Sequence, residues 1–122
     1  MLTVLVVDDD PDMRLLTRRL LTMLGCESSE ARNGIEAETI ALATKPDLIL
    51  LDIMMPVRDG YETCLRLREQ NYSGAVILMS AMQEATGKAR AAECGATAFM
   101  QKPMTRISLK FHVDFLESQQ IA

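Results

Sequence analysis

The chain has 122 residues, 48% of them hydrophobic and 25% charged, with a formal net charge of −4; this is the composition of one globular domain whose core needs no staples. The acidic balance argues against a broad nucleic-acid-binding surface, and acidic residues crowded at one place favour a cation. The three cysteines, Cys26, Cys64 and Cys94, are odd in number, widely spaced and without a CxxC pair, which predicts reduced thiols in a cytosolic core rather than disulfides or zinc ligands. The run Leu2 to Val7 is too short to span a membrane and has no basic leader, so no targeting segment is expected. It is apolar and β-branched, reads as a strand buried on both faces, and ends in Asp8, Asp9 and Asp10. Asp10 before Pro11 is an N-cap followed by proline at the first helical position. Met13, Leu16, Leu20 and Met23 or Leu24 then recur at helical spacing until Gly25 stops the helix.

Cys26 to Ala31 reads as a polar edge strand, and Asn33-Gly34 turns the chain into a helix over Ile35 to Thr44 that Pro46 closes. Leu48 to Leu51 is a continuous apolar run, hence a buried strand, and Asp52 follows at its carboxyl end, where open α/β sheets place their ligands. Pro56 cannot continue a ladder, and Asp59 caps a helix running to about Gln70. Ala75 to Met79 is a fourth buried strand ending at Ser80. From Gln83 to Cys94 an alanine-rich helix carries Gly87, at a cost of about 1 kcal/mol relative to alanine, and Gly95 ends it. Thr97 to Gln101 is a fifth strand, with Lys102-Pro103 at its carboxyl end.

Ile107 to Phe115 alternates apolar and polar residues, which on pattern alone is an amphipathic strand. As a helix the same residues form two opposed stripes, Ile107, Phe111 and Phe115 on one side and Leu109, Val113 and Leu116 on the other. A fifth helix is needed to cover the sheet, which favours helix. Either form leaves an apolar face without a partner inside the domain; with Met100 and Met104 nearby, that face is a candidate partner or homodimer surface. Strand and helix alternating five times with short crossovers give an α/β fold with a central five-stranded parallel sheet, one domain over residues 1–122.

Asp8 and Asp9, Asp52, Ser80 and Lys102 then converge at the carboxyl edge of the sheet. Three carboxylates sharing a small volume repel one another, and a hard divalent cation with oxygen ligands and retained waters relieves this, which points to Mg²⁺. A carboxylate with a metal on one side and a lysine ammonium on the other stays ionised with an open in-line face. It is suited to accept a phosphoryl group, to which Ser80 could donate a hydrogen bond. Each residue alone has a plainer explanation as a helix cap or a solvated loop side chain. Four strand ends agreeing on one edge is the specific signal.

Other acidic sites fit less well. A calcium loop through Asp8, Asp10 and Asp12 fails at Met13 and Arg19, where glycine and glutamate are required. A Rossmann enzyme needs glycines where the aspartates stand. An aspartate-nucleophile phosphatase of the haloacid dehalogenase type would not use Asp52 as its nucleophile. His112, the sole histidine, is expected to be a partly exposed surface residue, and most methionines are expected to fill the core.

VVDDDP, LLDIMMPVRDG, LMSA and MQKPM, in this order and on these elements, resemble the receiver domain of two-component response regulators over essentially the whole chain. The resemblance implies a flavodoxin-like strand order 2-1-3-4-5 and Asp52 as phosphoacceptor. It also implies Asp9 and Asp52 as direct Mg²⁺ ligands, Asp8 assisting, and the backbone carbonyl of Met54 as a further ligand. Lys102 and Ser80 match the family's lysine and hydroxyl residue, and Phe99 its aromatic switch, expected to turn inward when Ser80 moves toward a phosphoryl group. A cis peptide between Lys102 and Pro103 is implied, and Met54 and Met82 flank the path of water to the phosphoryl group. The expected function is a cytoplasmic, phosphorylation-dependent signalling switch, not an enzyme acting on a foreign metabolite. A sensor histidine kinase or histidine phosphotransfer protein would supply the phosphoryl group, and the surface of helix four, strand five and the last segment would change. The competing reading, a receiver-like module that binds a partner without phosphorylation, would show a missing acid, hydroxyl or lysine, and none is missing.

Overall fold

Five strands pair in parallel, β1 (Thr3–Val7), β2 (Glu27–Ala31), β3 (Leu48–Asp52), β4 (Ala75–Ser80) and β5 (Ala98–Gln101), in the order β2-β1-β3-β4-β5. Five helices alternate with them, α1 (Pro11–Met23), α2 (Gly34–Thr44), α3 (Gly60–Glu69), α4 (Glu84–Glu93) and α5 (Arg106–Ile121). This is the doubly wound sheet expected from the sequence, here seen in a computed structural model that describes residues 1–81, 84–102 and 104–121, with the side chains of 84–86 and 121 left aside. The water-path position at Met82, the predicted helix start at Gln83 and the peptide at Pro103 lie outside the described residues.

The period of two along each strand divides the core. Leu5, Val7, Ile49, Leu51, Val76, Leu78 and Phe99 go to one face, under Ala37 and Ala41 of α2, Cys64 and Leu67 of α3, and Ala91 of α4. Val4, Val6, Leu48, Leu50, Ile77, Met79 and Met100 go to the other, under Leu21 of α1 and Leu109 and Val113 of α5. Both faces are buried under helices, which explains why the central strands are apolar without alternation. Three of the helix starts are capped as their sequences require: Asp10, Asn33 and Asp59 accept from the backbone N–H groups of Asp12, Glu36 and Glu62, worth about 1 kcal/mol each.

The last segment is a helix. Leu109 and Val113 are fully buried, which stabilises the fold by roughly 1.5–3 kcal/mol each, whereas Ile107, Phe111 and Phe115 are 83%, 69% and 54% exposed. One apolar stripe is therefore unpartnered, as expected. Met100 does not belong to it: the alternation of β5 turns Phe99 to one face and Met100 to the other, where it is buried against α5, and Met104 packs partly against the same cluster.

Helix α1 buries Arg14, Thr17 and Leu21, while Leu16 and Met23 face out. The spacing of Met13, Leu16, Leu20 and Met23 thus points about one position away from the buried face. The reason is Arg14, whose guanidinium donates to the Asp8 backbone carbonyl at 2.8 Å and to Glu30 at 3.0 Å, so a charged residue turns inward. The methionines fill the core less than expected: Met79 and Met100 are buried, but Met1, Met23 and Met54 are exposed. All three cysteines are free and buried.

Candidate functional site

Strand register sets the site. Val7 pairs with Leu51, so Asp8 and Asp52, each the next residue, leave the sheet side by side. Asp52 pairs with Met79 and Ser80 with Gln101, so the Ser80 and Lys102 positions each lie one step beyond the neighbouring strand's end. The Lys102 N–H donates to the Ser80 carbonyl at 2.8 Å, extending the ladder to the lysine. Four elements thereby deliver a carboxylate pair, a hydroxyl and an ammonium to one edge.

Asp8 and Asp52 are buried and Asp9 is exposed; one oxygen from each lies within 4.8 Å of the others. Lys102 Nζ sits 3.3 Å from Asp8 Oδ2 and 3.3 Å from Asp52 Oδ1. The ammonium is thus shared between two buried anions. The Asp52 carboxyl is pushed up to about 6: burial raises it most, Lys102 pulls it down, Asp8 pushes it up, and hydrogen bonds from Lys102 and the Met54 N–H draw it down. Burial, helped by the Asp8 charge, outweighs the one shared ammonium. For Lys102, burial works to lower the pKa but is outweighed by Asp52 and then Asp8, so the ammonium is held above its ordinary value. The donors are hard carboxylate oxygens, which suits Mg²⁺ and not a thiolate or imidazole metal.

The backbone around Asp52 is fixed by close packing. A Cβ on Gly60 would lie 2.6 Å from the Asp52 carbonyl oxygen and 2.8 Å from the Ile53 Cα, so only glycine lets α3 start directly beneath the strand end. The Gly60 N–H donates to the Ile53 carbonyl at 2.9 Å. The loop between them carries Val57 at φ 71, a left-handed conformation that is strained for a β-branched residue. Met54 is 70% exposed at the rim of the site.

The structure brings Asp8, Asp9, Asp52 and Lys102 together, with Ser80 buried at the adjoining strand end. Asp10 is not part of the cluster; its carboxylate caps α1. Phe99 is already inside, 7% exposed. Half-buried His112 stands on α5, its ring edge against Phe111, and burial lowers its pKa. Sequence reasoning missed Arg14, which holds the Asp8 carbonyl. It also missed an ion cluster behind the Asp52 loop, in which Glu38 of α2 accepts from Arg58, from Arg66 at 2.8 Å and from Gln70 at 2.9 Å. No local signal joins residues so far apart in sequence.

The fold and the edge site define a doubly wound α/β domain whose sheet edge gathers three carboxylates against the Lys102 ammonium. Residues 4–114 match the model of the response regulator receiver domain, and the chain belongs to that family, the receiver domains of two-component systems. It is 36% identical over 115 residues to the sensor protein EvgS of Escherichia coli K12, covering 94% of this chain and 10% of EvgS. It is 37% identical over 102 residues to the alkaline phosphatase synthesis transcriptional regulatory protein PhoP of Bacillus subtilis, covering 84% of this chain and 42% of PhoP. The chain thus spans less than half the length of these relatives. Among solved structures, the Francisella response regulator 1452 receiver domain superposes with a TM-score of 0.91 at 28% identity, covering 98% of this chain and 99% of that one. Vibrio cholerae CheY4 gives 0.88 at 27% identity, covering 95% and 98%. Among the described residues no helix is long and apolar enough to cross a membrane.

Proposed function

We propose that the chain is a phosphorylation-dependent switch that takes a phosphoryl group from a partner phosphohistidine onto Asp52. The observation that supports this most is one buried carboxylate, Asp52, sharing the Lys102 ammonium with a second, Asp8. A carboxylate oxygen of Asp52 attacks phosphorus, the P–N bond of the phosphohistidine breaks, and the imidazole leaves. Lys102 stays ionised through the step and carries part of the charge on the transferred oxygens. Mg²⁺, held by Asp8, Asp9, Asp52 and the Met54 carbonyl, would neutralise the remainder when bound. The Ser80 hydroxyl hydrogen-bonds the new phosphoryl group, and that movement shifts α4, against whose Gly87 the Phe99 ring packs.

The domain is not an enzyme for a foreign metabolite, since the acceptor is its own side chain. Its donor is a sensor histidine kinase or a histidine phosphotransfer protein in the cytoplasm. Its readout is the surface of α4, β5 and α5, where the exposed Ile107, Phe111 and Phe115 stripe engages a protein partner or a second copy rather than nucleic acid or a membrane. Incubation with a labelled phosphohistidine donor and Mg²⁺ tests the reading. A label removed by neutral hydroxylamine, as an acyl phosphate is, supports it; no label, or a label that survives hydroxylamine, overturns it.

A further inference from the structure

The glycine inside α4 has a structural cause. Gly87 is buried, and a Cβ built on it would stand 2.3 Å from Cε2, 2.4 Å from Cζ and 2.9 Å from Cδ2 of Phe99. Approaches that short do not occur, so the edge of the phenyl ring fills the space that any other residue at position 87 would claim. On the strand side, Phe99 pairs with Leu78 of β4 and belongs to the core cluster under α2, α3 and α4. The ring is clamped between a helix backbone and the sheet.

This contact contains no group from the acidic edge. Neither Asp52 nor Lys102 helps to make it, and the apolar area that the ring buries against α4 favours the inward position whatever the state of Asp52. Glycine weakens a helix, so α4 loses intrinsic stability at this position and recovers it through the ring. The exchange is specific to a ring at 99 paired with the absence of a side chain at 87.

We infer that Gly87 is a positioning residue that seats Phe99 inward before phosphorylation, so that the switch aromatic is set in advance and phosphoryl transfer acts mainly through Ser80 and α4. This rests on the reading of Asp52 as phosphoacceptor only for its effect on signalling; the seat itself does not depend on it. The family resemblance links an inward ring to the form that holds the phosphoryl group, and by linkage that form accepts it best, so removing the seat should slow the reaction at Asp52.

The test begins with the unaltered protein labelled with fluorophenylalanine, which reports on only three residues, Phe99, Phe111 and Phe115. Without a phosphodonor, the fluorine signal assigned to Phe99 by Phe99→Leu should be shielded from a soluble paramagnetic probe, while the other two are broadened. Urea unfolding of Gly87→Ala, in wild-type and Phe99→Ala backgrounds, gives the second reading. The substitution should lower the midpoint when the ring is present and raise it when the ring is gone, a reversal that helix propensity alone cannot produce. In the third, Gly87→Ala should slow phosphorylation of Asp52 by a small phosphodonor several-fold. A Phe99 signal as exposed as those of Phe111 and Phe115, the same sign of midpoint change in both backgrounds, or an unchanged rate would overturn the inference. A wild-type protein that takes no phosphoryl group at all would instead overturn the reading of Asp52, leaving the first two measurements to decide the seat.

Discussion

Replacing Asp52 with asparagine keeps the size of the side chain and removes an anion whose burial raises its pKa from 3.8 to about 6. The folded carboxyl therefore holds its proton more tightly than the unfolded one, and the metal-free domain loses stability as pH rises between those two values. The shift is about two pH units at about 1.4 kcal/mol each, so ionised Asp52 costs the fold up to about 3 kcal/mol near neutral pH. The group is only 4% exposed, so solvent screening removes little of this. Asp52→Asn leaves Lys102 paired with Asp8 and relieves the cost, a gain of about 1–3 kcal/mol. For a domain of this size, that raises the melting temperature by roughly 3–10 °C. Thermal unfolding with a chelator present, near neutral pH and again near pH 4, is the assay. The variant should be more stable at neutral pH and should converge with wild type in acid, and adding Mg²⁺ should stabilise wild type much more than the variant. Equal stability at neutral pH, or a gain that persists in acid, would refute the argument that burial of this carboxylate is what the cation relieves.

Lys102→Ala removes the ammonium shared by Asp8 and Asp52, so Mg²⁺ should bind as well or more tightly by calorimetry, while a phosphoryl analogue should no longer change the protein's affinity for its partner. Arg66, then Gln70 and Arg58, hold the Glu38 carboxyl well below its ordinary 4.5, at about 2. Its contribution is thus present above about pH 4.5 and is lost as pH falls toward 2; Glu38→Gln should cost about 1–2 kcal/mol near neutral pH, with the gap closing in acid urea titrations. Exposed Met54 offers an attacking water no hydrogen bond, so the aspartyl phosphate should be long-lived. Met54→Asn together with Met82→Glu should speed its decay about ten- to a hundredfold after the donor is removed.

The sheet and its edge were legible because their signals are local. Apolar runs that stop at Asp8, Asp52 and Ser80 state both that a strand is buried and where it leaves the core, and parallel pairing then aligns those exits. The last helix was less legible, since Ile107 to Phe115 satisfies a strand pattern while its helical stripes are Leu109 with Val113 and Ile107 with Phe111. Only the need to cover Val4, Leu50 and Ile77 on that face of the sheet decides between them. Met100 was misplaced for a related reason: a methionine beside Phe99 looks like part of one apolar surface until the pleat of β5 separates the two. Gly87 reads only as a weak point, and the sequence around Gly60 does not show its close packing either, because what each touches, the Phe99 ring and the Asp52 carbonyl, comes from another element. The Glu38 cluster depends likewise on contacts between distant segments, and the inward turn of Arg14 rests on a backbone carbonyl that no residue pattern marks.

Intact mass after incubation with a small phosphodonor and Mg²⁺, wild type beside Asp52→Asn, tests the central claim most directly. Wild type should gain the mass of one phosphoryl group, lost on treatment with hydroxylamine, and Asp52→Asn should gain none. The same adduct on both proteins, or on neither, would contradict the assignment of Asp52 as the phosphoacceptor.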